Sequence, residues 1–93
     1  MRKLIIHRKN SFIGRLLVAL IICDGLIIGS IRSGETTEVA IDNNRHTIYC
    51  VADVPGEYGG SNRKTSDVIQ VSEGTSNINM EFSVGFTFKL SLI

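Results

Sequence analysis

The sequence predicts an all-β protein, an antiparallel β-sandwich of seven or eight strands in a single domain spanning residues 1–93. Three observations carry that expectation. Apolar residues occupy every second position from Ile78 to Leu92, turn signals recur roughly every eight to twelve residues, and no stretch sustains the 3.6-residue apolar period of a helix.

The alternation is the most informative of the three. Ile78, Met80, Phe82, Val84, Phe86, Phe88, Leu90 and Leu92 share one parity, and Asn79, Glu81, Ser83, Gly85, Thr87, Lys89 and Ser91 share the other. Alternate side chains of a strand point to opposite faces, so one face is buried and the other is wet. A straight strand over these residues would reach roughly 50 Å at about 3.3 Å per residue, far beyond a compact chain of this size, whose radius of gyration is about 12 Å. The stretch must bend or break, and Gly85 is the expected place.

In chain order, residues 1–12 contain Leu4, Ile5, Ile6 and His7 between charged flanks, a pattern that suits an edge strand, and Gly14 breaks it. Residues 16–23 are apolar on both parities, as in a central strand covered on both faces or one whose outer face meets another molecule. Asp24-Gly25 follows between apolar runs and predicts a type I′ hairpin turn, which needs positive φ at both central residues. Residues 26–32 return, Ser33-Gly34 turns, and residues 35–41 alternate through Thr37, Val39 and Ile41. Asp42-Asn43-Asn44-Arg45 is the next turn, with Asn44 expected in the left-handed region. Residues 46–54 read as a long strand and residues 55–66, with the sole proline and three glycines, as a polar loop. A strand over 67–72 and a hairpin turn at Glu73-Gly74 lead into the final stretch. Parity places Ile21, Ile28, Ile31, Val39, Ile48, Val71, Ile78, Met80 and Phe82 in the core.

Ninety-three residues suffice for one core but not for a catalytic cleft between two lobes. The formal charge of +1 implies no particular partner, yet Arg2, Lys3, Arg8, Lys9 and Arg15 make up half of the 10 basic residues and no acidic residue precedes Asp24. Charge on an edge strand chiefly blocks edge-to-edge pairing. Contact with an anionic membrane surface through this basic N-terminal strand is the second reading, and nucleic acid is not expected. The apolar run at 16–23 imitates the core of an export signal, but Asp24 ends it and no small-x-small cleavage site follows. That favours a cytoplasmic chain over an exported or membrane-anchored surface module. Cys23 and Cys50 lack the paired spacing of a zinc site and read as small buried hydrophobes; a bridge between them is sterically open.

No constellation of catalytic residues stands out. The run Gly59-Gly60-Ser61-Asn62-Arg63-Lys64-Thr65 lacks the glycine that must precede the lysine of a phosphate loop, and no helix follows it. His7 and His46 have no Cys, Asp or Glu at sequence spacing for a metal, and His46 is expected to donate one ring hydrogen to backbone. No cofactor and no catalytic residue are assigned. The leading expectation is a non-catalytic binding or protein-interaction module with an unidentified protein partner. The alternative is a small hydrolase or carbohydrate-binding protein using Glu57, Tyr58 and Asn62 beside Asp24 or Glu35. Self-association is expected too, because Leu20, Ile22, Leu26 and Ile27 read as an apolar outer face of the first hairpin, which a second copy of the chain could cover.

Asp24-Gly25, Gly29, Gly34-Glu35 and Arg45-His46-Thr47, the last with Asn44 in place of a glycine, give residues 21–49 a pattern of strand, Asp-Gly turn, strand, Gly-Glu turn and His-Thr lead-in. It resembles that of PEGA-like small bacterial β-modules. The resemblance implies a non-catalytic sandwich domain, immunoglobulin-like or transthyretin-like in general shape, and names no site residue.

Overall fold

The computed structural model describes residues 1–12, 14–55 and 60–93, and all the regular structure among them is β. Nine strands follow one another: β1 (Arg2–Arg8), β2 (Ala19–Cys23), β3 (Leu26–Ile31), β4 (Thr36–Ile41), β5 (His46–Pro55), β6 (Ser61–Thr65), β7 (Ile69–Val71), β8 (Ile78–Val84) and β9 (Phe88–Leu92). They form two sheets. One is ordered β4-β1-β8-β9; the other is ordered β3-β2-β5-β6, with β7 also paired to β5. Leu4, Ile6, Met80, Phe82 and Leu90 from the first sheet and Ile21, Ile31, Ile48 and Cys50 from the second meet in one buried cluster. The particle measures 45 × 24 × 17 Å, too short in any direction for the unbroken 78–92 strand.

That stretch breaks at Gly85. β8 and β9 pair from Val84↔Phe88 to Met80↔Leu92, with Gly85, Phe86 and Thr87 as the connecting turn. The turn lifts Phe86 out of the core parity and leaves it 86 % exposed, although the alternation had counted it with Phe82 and Phe88. Asp24 and Gly25 adopt φ of 52° and 83°, the two positive angles a type I′ turn demands, and Cys23 pairs with Leu26 across them. One residue later the register slips: Ile21 faces Gly29 whereas Ile22 faces Ile27, so Ile28 is the extra residue of a β-bulge. The bulge explains why Ile28 is only half-buried against the core. Val39 is half-buried as well, beside Gly29 where the edge strands β3 and β4 run next to each other.

Four expectations are corrected. The strand count is nine among the described residues, because β6 occupies part of the expected 55–66 loop and the last stretch makes two strands. The sheet pairing is not wholly antiparallel: β1 runs parallel to β8, with Leu4 opposite Ile78 and Arg8 opposite Phe82. β1 is therefore no edge strand, since β4 covers its other side from Arg2↔Ile41 to His7↔Thr36. Glu73-Gly74 lies in a connection that carries the chain from one sheet to the other, not in a hairpin. Asn44 also departs from expectation. Its φ is not positive; its backbone N–H instead donates to Asp42 Oδ1 at 2.9 Å, an Asx turn that shapes the bend without a left-handed residue.

β6 and β7 are two pieces of one edge along β5, displaced by one residue in register at Ser66. Buried Ser66 repairs the gap. Its backbone N–H donates to the Cys50 carbonyl at 2.8 Å, and its hydroxyl oxygen accepts the Cys50 N–H at 2.9 Å. The hydroxyl takes the place of a ladder carbonyl, so no backbone donor is stranded there.

Candidate functional site

β1 is the axis on which both ends of the molecule are built. Arg2, Leu4, Ile6 and Arg8 share the inward parity and are all buried. A buried cation must be compensated. Both arginines solve this with backbone carbonyls, and each thereby holds the turns at its own end of the sandwich.

At the first end, Arg2 Nη2 donates to the Ser72 and Asn44 carbonyls at 2.7 and 3.0 Å, tying the β4–β5 turn to the segment after β7. His46, at the start of β5, stands beside it between two carboxylates. Nδ1 lies 2.6 Å from Asp24 Oδ2 and Nε2 2.7 Å from Asp42 Oδ1. Ionised carboxylates only accept, so the ring occupies both bonds fully as the imidazolium. The hydrogen bond to Asp24, aided by Asp42, accordingly holds His46 above its ordinary value against the opposing effect of burial. Asp24 is held below the usual carboxylate range, first by the Thr47 N–H that reaches Oδ1 at 2.9 Å and then by His46. Asp42 is lowered in the same sense by the Asn44 N–H and by His46. The expectation of a single ring hydrogen given to backbone is thus replaced by a two-carboxylate clamp. Sequence spacing hid it because Asp24 arrives from the β2–β3 turn, 22 residues away in sequence.

Cys23 Sγ, an Asp24 carboxylate oxygen and a His46 ring nitrogen lie within 4.8 Å of one another, three donors of the kinds that bind a metal ion. Ligands on a tetrahedral ion with bonds of about 2.0 Å stand about 3.3 Å apart, so the 2.6 Å contact between nitrogen and oxygen is that of a hydrogen bond, not of two co-ligands. The thiol is also poor in thiolate, since burial and the neighbouring Asp24 push Cys23 up to about 11. Cys50 is pushed up to about 12 by burial, and both cysteines are free thiols. We read the group as a polar clamp that ties the β2–β3 turn to the β4–β5 turn.

At the opposite end, Arg8 is wholly buried. Nη1 donates to the Leu17 and Ile31 carbonyls at 2.6 and 2.9 Å, Nη2 to that of Gly14 at 2.9 Å, and the guanidinium lies 5.9 Å from the Phe82 ring centroid. Burial lowers its affinity for the proton without removing the charge. These bonds mould residues 14–17 into a turn, closed by the Leu17 N–H on the Gly14 carbonyl. Gly14 is required there. Its φ is 69°, and a Cβ would sit 2.7 Å from Val84 Cγ1. The turn and the β8–β9 tip together line an open cleft of about 450 Å³ whose walls include Phe12, Leu16, Leu17, Val84, Phe86 and Phe88. Phe12 and Leu16 are each 88 % exposed and Phe86 is 86 % exposed. Two cations join the lining. Arg15 lies over the Phe12 ring at 5.9 Å and Lys64 Nζ donates to the Phe86 carbonyl at 3.3 Å, while among the described residues no acidic side chain lines the cleft.

Compared with known proteins, the chain matches no family model, no curated protein and no solved structure. Its function must be argued from its own geometry.

The residues singled out from sequence fall as follows. Ile22 is buried, flanked by Ile27 and Tyr49, and Leu20 is half-buried beside Val51. Leu26 and Ile27 are 70 % and 65 % exposed but, as neighbours in one strand, point to opposite faces. Asp24 belongs to the first end and Glu35 to the second, where the Arg8 N–H donates to its carbonyl, so these carboxylates do not converge. Asn62 is exposed on β6, whereas Glu57 and Tyr58 lie outside the described residues. Of the five early basic residues, Arg2 and Arg8 point inward, and Lys3 and Lys9 pair with Glu38 and Glu81 at 3.8 and 3.3 Å. The cleft residues were missed because a parity count assigns Phe86 inward and gives Phe12 and Leu16 no face. The signal that was available is the cluster of large apolar residues around Gly14, a residue that interrupts a strand.

Proposed function

We propose that the chain is a non-catalytic binding module and that its contact surface is the apolar cleft at the Arg8 end. One observation carries this reading: Phe12, Leu16 and Phe86, three large apolar side chains at least 86 % exposed, line the same concave surface. Scattered exposed apolar residues need no explanation, but a clustered set marks a place meant to be covered. The rigid scaffold supports the same reading, since Arg8 and Gly14 hold the turn in one shape and a preformed surface binds without a large ordering cost. A PEGA-like or immunoglobulin/transthyretin-like relationship fits such a role, with the Asp24-Gly25 turn as its support.

Titration with an environment-sensitive naphthalene sulfonate dye tests the proposal. The wild-type chain should enhance and blue-shift the dye's emission. Phe12→Ser and Phe86→Ser should each reduce the effect, and together abolish it, with circular dichroism and urea midpoint unchanged. A dye response indifferent to both substitutions would remove the cleft from consideration. Association with a second copy through the β2–β3 hairpin is the other reading, favoured by the exposure of Ile27. In that case light scattering should give more than the 10.2 kDa of one chain, and Ile27→Lys should return the mass to that value.

A further inference from the structure

We infer that the occupant of the cleft is the surface of an anionic lipid bilayer, an inference that rests on the cleft being the binding surface. Three features lead there. The apolar groups sit on the tips of two neighbouring loops, Phe86 in the β8–β9 turn and Phe12 and Leu16 on either side of Gly14. Rims almost wholly in solvent cannot enclose a small molecule, and a drug-sized ligand typically needs 70–90 % or more of its surface covered. They can instead be inserted into a medium that closes around them.

The charges complete the match. Phe12 and Phe86 each have a cation beside them, Arg15 over the Phe12 ring and Lys64 on the Phe86 carbonyl, and among the described residues no carboxylate lines the cleft. Phe and Leu side chains bury into the boundary between headgroups and acyl chains while long basic side chains reach the phosphates, so such pairs fit the bilayer boundary. An anionic leaflet attracts basic groups close to its surface and releases them as salt rises. A protein partner would have to supply apolar and acidic groups in matching positions; a bilayer presents both everywhere. The five early basic residues of the sequence do not act as an arm here. Arg15 alone among them lines the cleft.

Co-sedimentation of the full chain with sucrose-loaded vesicles tests the inference, using phosphatidylcholine alone and phosphatidylcholine mixed with phosphatidylglycerol. The wild type should pellet with the mixed vesicles, at least about ten-fold more strongly than with the neutral ones, and less at high salt. Phe12→Ser with Phe86→Ser should abolish pelleting. Arg15→Glu with Lys64→Glu should abolish the preference for anionic lipid. No pelleting, with the dye still bound at Phe12 and Phe86, overturns the lipid inference and leaves the cleft as a binding surface. Failure of both assays overturns both. A dimer in light scattering that Phe86→Ser dissociates, with no pelleting, assigns the cleft to a second copy of the chain and overturns the inference.

Discussion

The two ends of β1 are built with the same device and finished in opposite ways. Arg2 and Arg8 both point into the sandwich and both donate to backbone carbonyls in or next to the turns, although the buried Arg8 Nε has no partner among the described residues. Around Arg2 the remaining groups satisfy one another: His46 joins Asp24 to Asp42, the Thr47 and Asn44 N–H groups complete the carboxylates, and the Gly74 N–H donates to the Asn43 carbonyl. Around Arg8 the turn is equally well tied from beneath, yet its upper surface carries Phe12, Leu16 and Phe86 with little cover. The difference separates two uses of a turn. One closes the sandwich; the other presents a surface that the sandwich does not need.

Removing the arginines should break the comparison most sharply. Arg8→Met strands the buried Ile31 carbonyl and unties the part-buried Leu17 and Gly14 carbonyls, at a cost of about 3–5 kcal/mol. That is a large part of the roughly 5–15 kcal/mol available to a small domain. Arg2→Met should cost about 1–3 kcal/mol, because its partly exposed carbonyls can turn to water. Urea denaturation of the two variants would contradict this account if Arg2→Met proved the more damaging.

Glycine substitutions separate the ends by a smaller margin. Gly14→Ala must fit a Cβ 2.7 Å from Val84 Cγ1 at positive φ, for a loss of about 2–4 kcal/mol. Gly25→Ala meets open space and bears only the left-handed penalty of about 1–2 kcal/mol. Equal urea midpoints for the two would mean that the turn at Gly14 moves freely.

The pH dependence should come from the His46 end. A histidine whose value is raised by folding stabilises fully below about 6.5, its unfolded value, and loses that contribution as pH rises through the higher folded one. Asp24 and Asp42, held low, contribute above about 3.9 and lose their contribution as pH falls through their folded values. The clamp is therefore strongest between about pH 4 and pH 6.5. The difference in urea midpoint between wild type and His46→Gln should be largest in that window and shrink on either side. A difference that grows steadily toward pH 9 would show that the ring is neutral in the folded protein.

The smallest effect belongs to the cleft. Phe12→Ser and Phe86→Ser should each change stability by no more than about 0.5 kcal/mol, since exposed side chains leave little behind when removed. A loss of more than about 2 kcal/mol at either position would place that ring in the core and remove the surface it is said to form.

By itself the sequence determined the elements whose causes are local. Alternation placed Ile78, Met80, Phe82, Val84, Phe88 and Leu90 inward, Gly85 marked the break, and Asp24-Gly25 specified its turn, because side-chain period and backbone φ depend on a few consecutive residues. Seven of the nine residues assigned to the core, all but Ile28 and Val39, are buried for the same reason. Tertiary structure alone decided the pairing of β1 with β8 in parallel, the β6 strand in an apparent loop, the inward course of Arg2 and Arg8, and the meeting of His46 with Asp24. Each of these depends on groups distant in sequence, and a hydrogen-bonding side chain carries no mark of which distant carbonyl or carboxylate will satisfy it. The cleft was hidden likewise, since whether Phe12, Leu16 and Phe86 are covered depends on what the fold brings over them, and within the described chain nothing does.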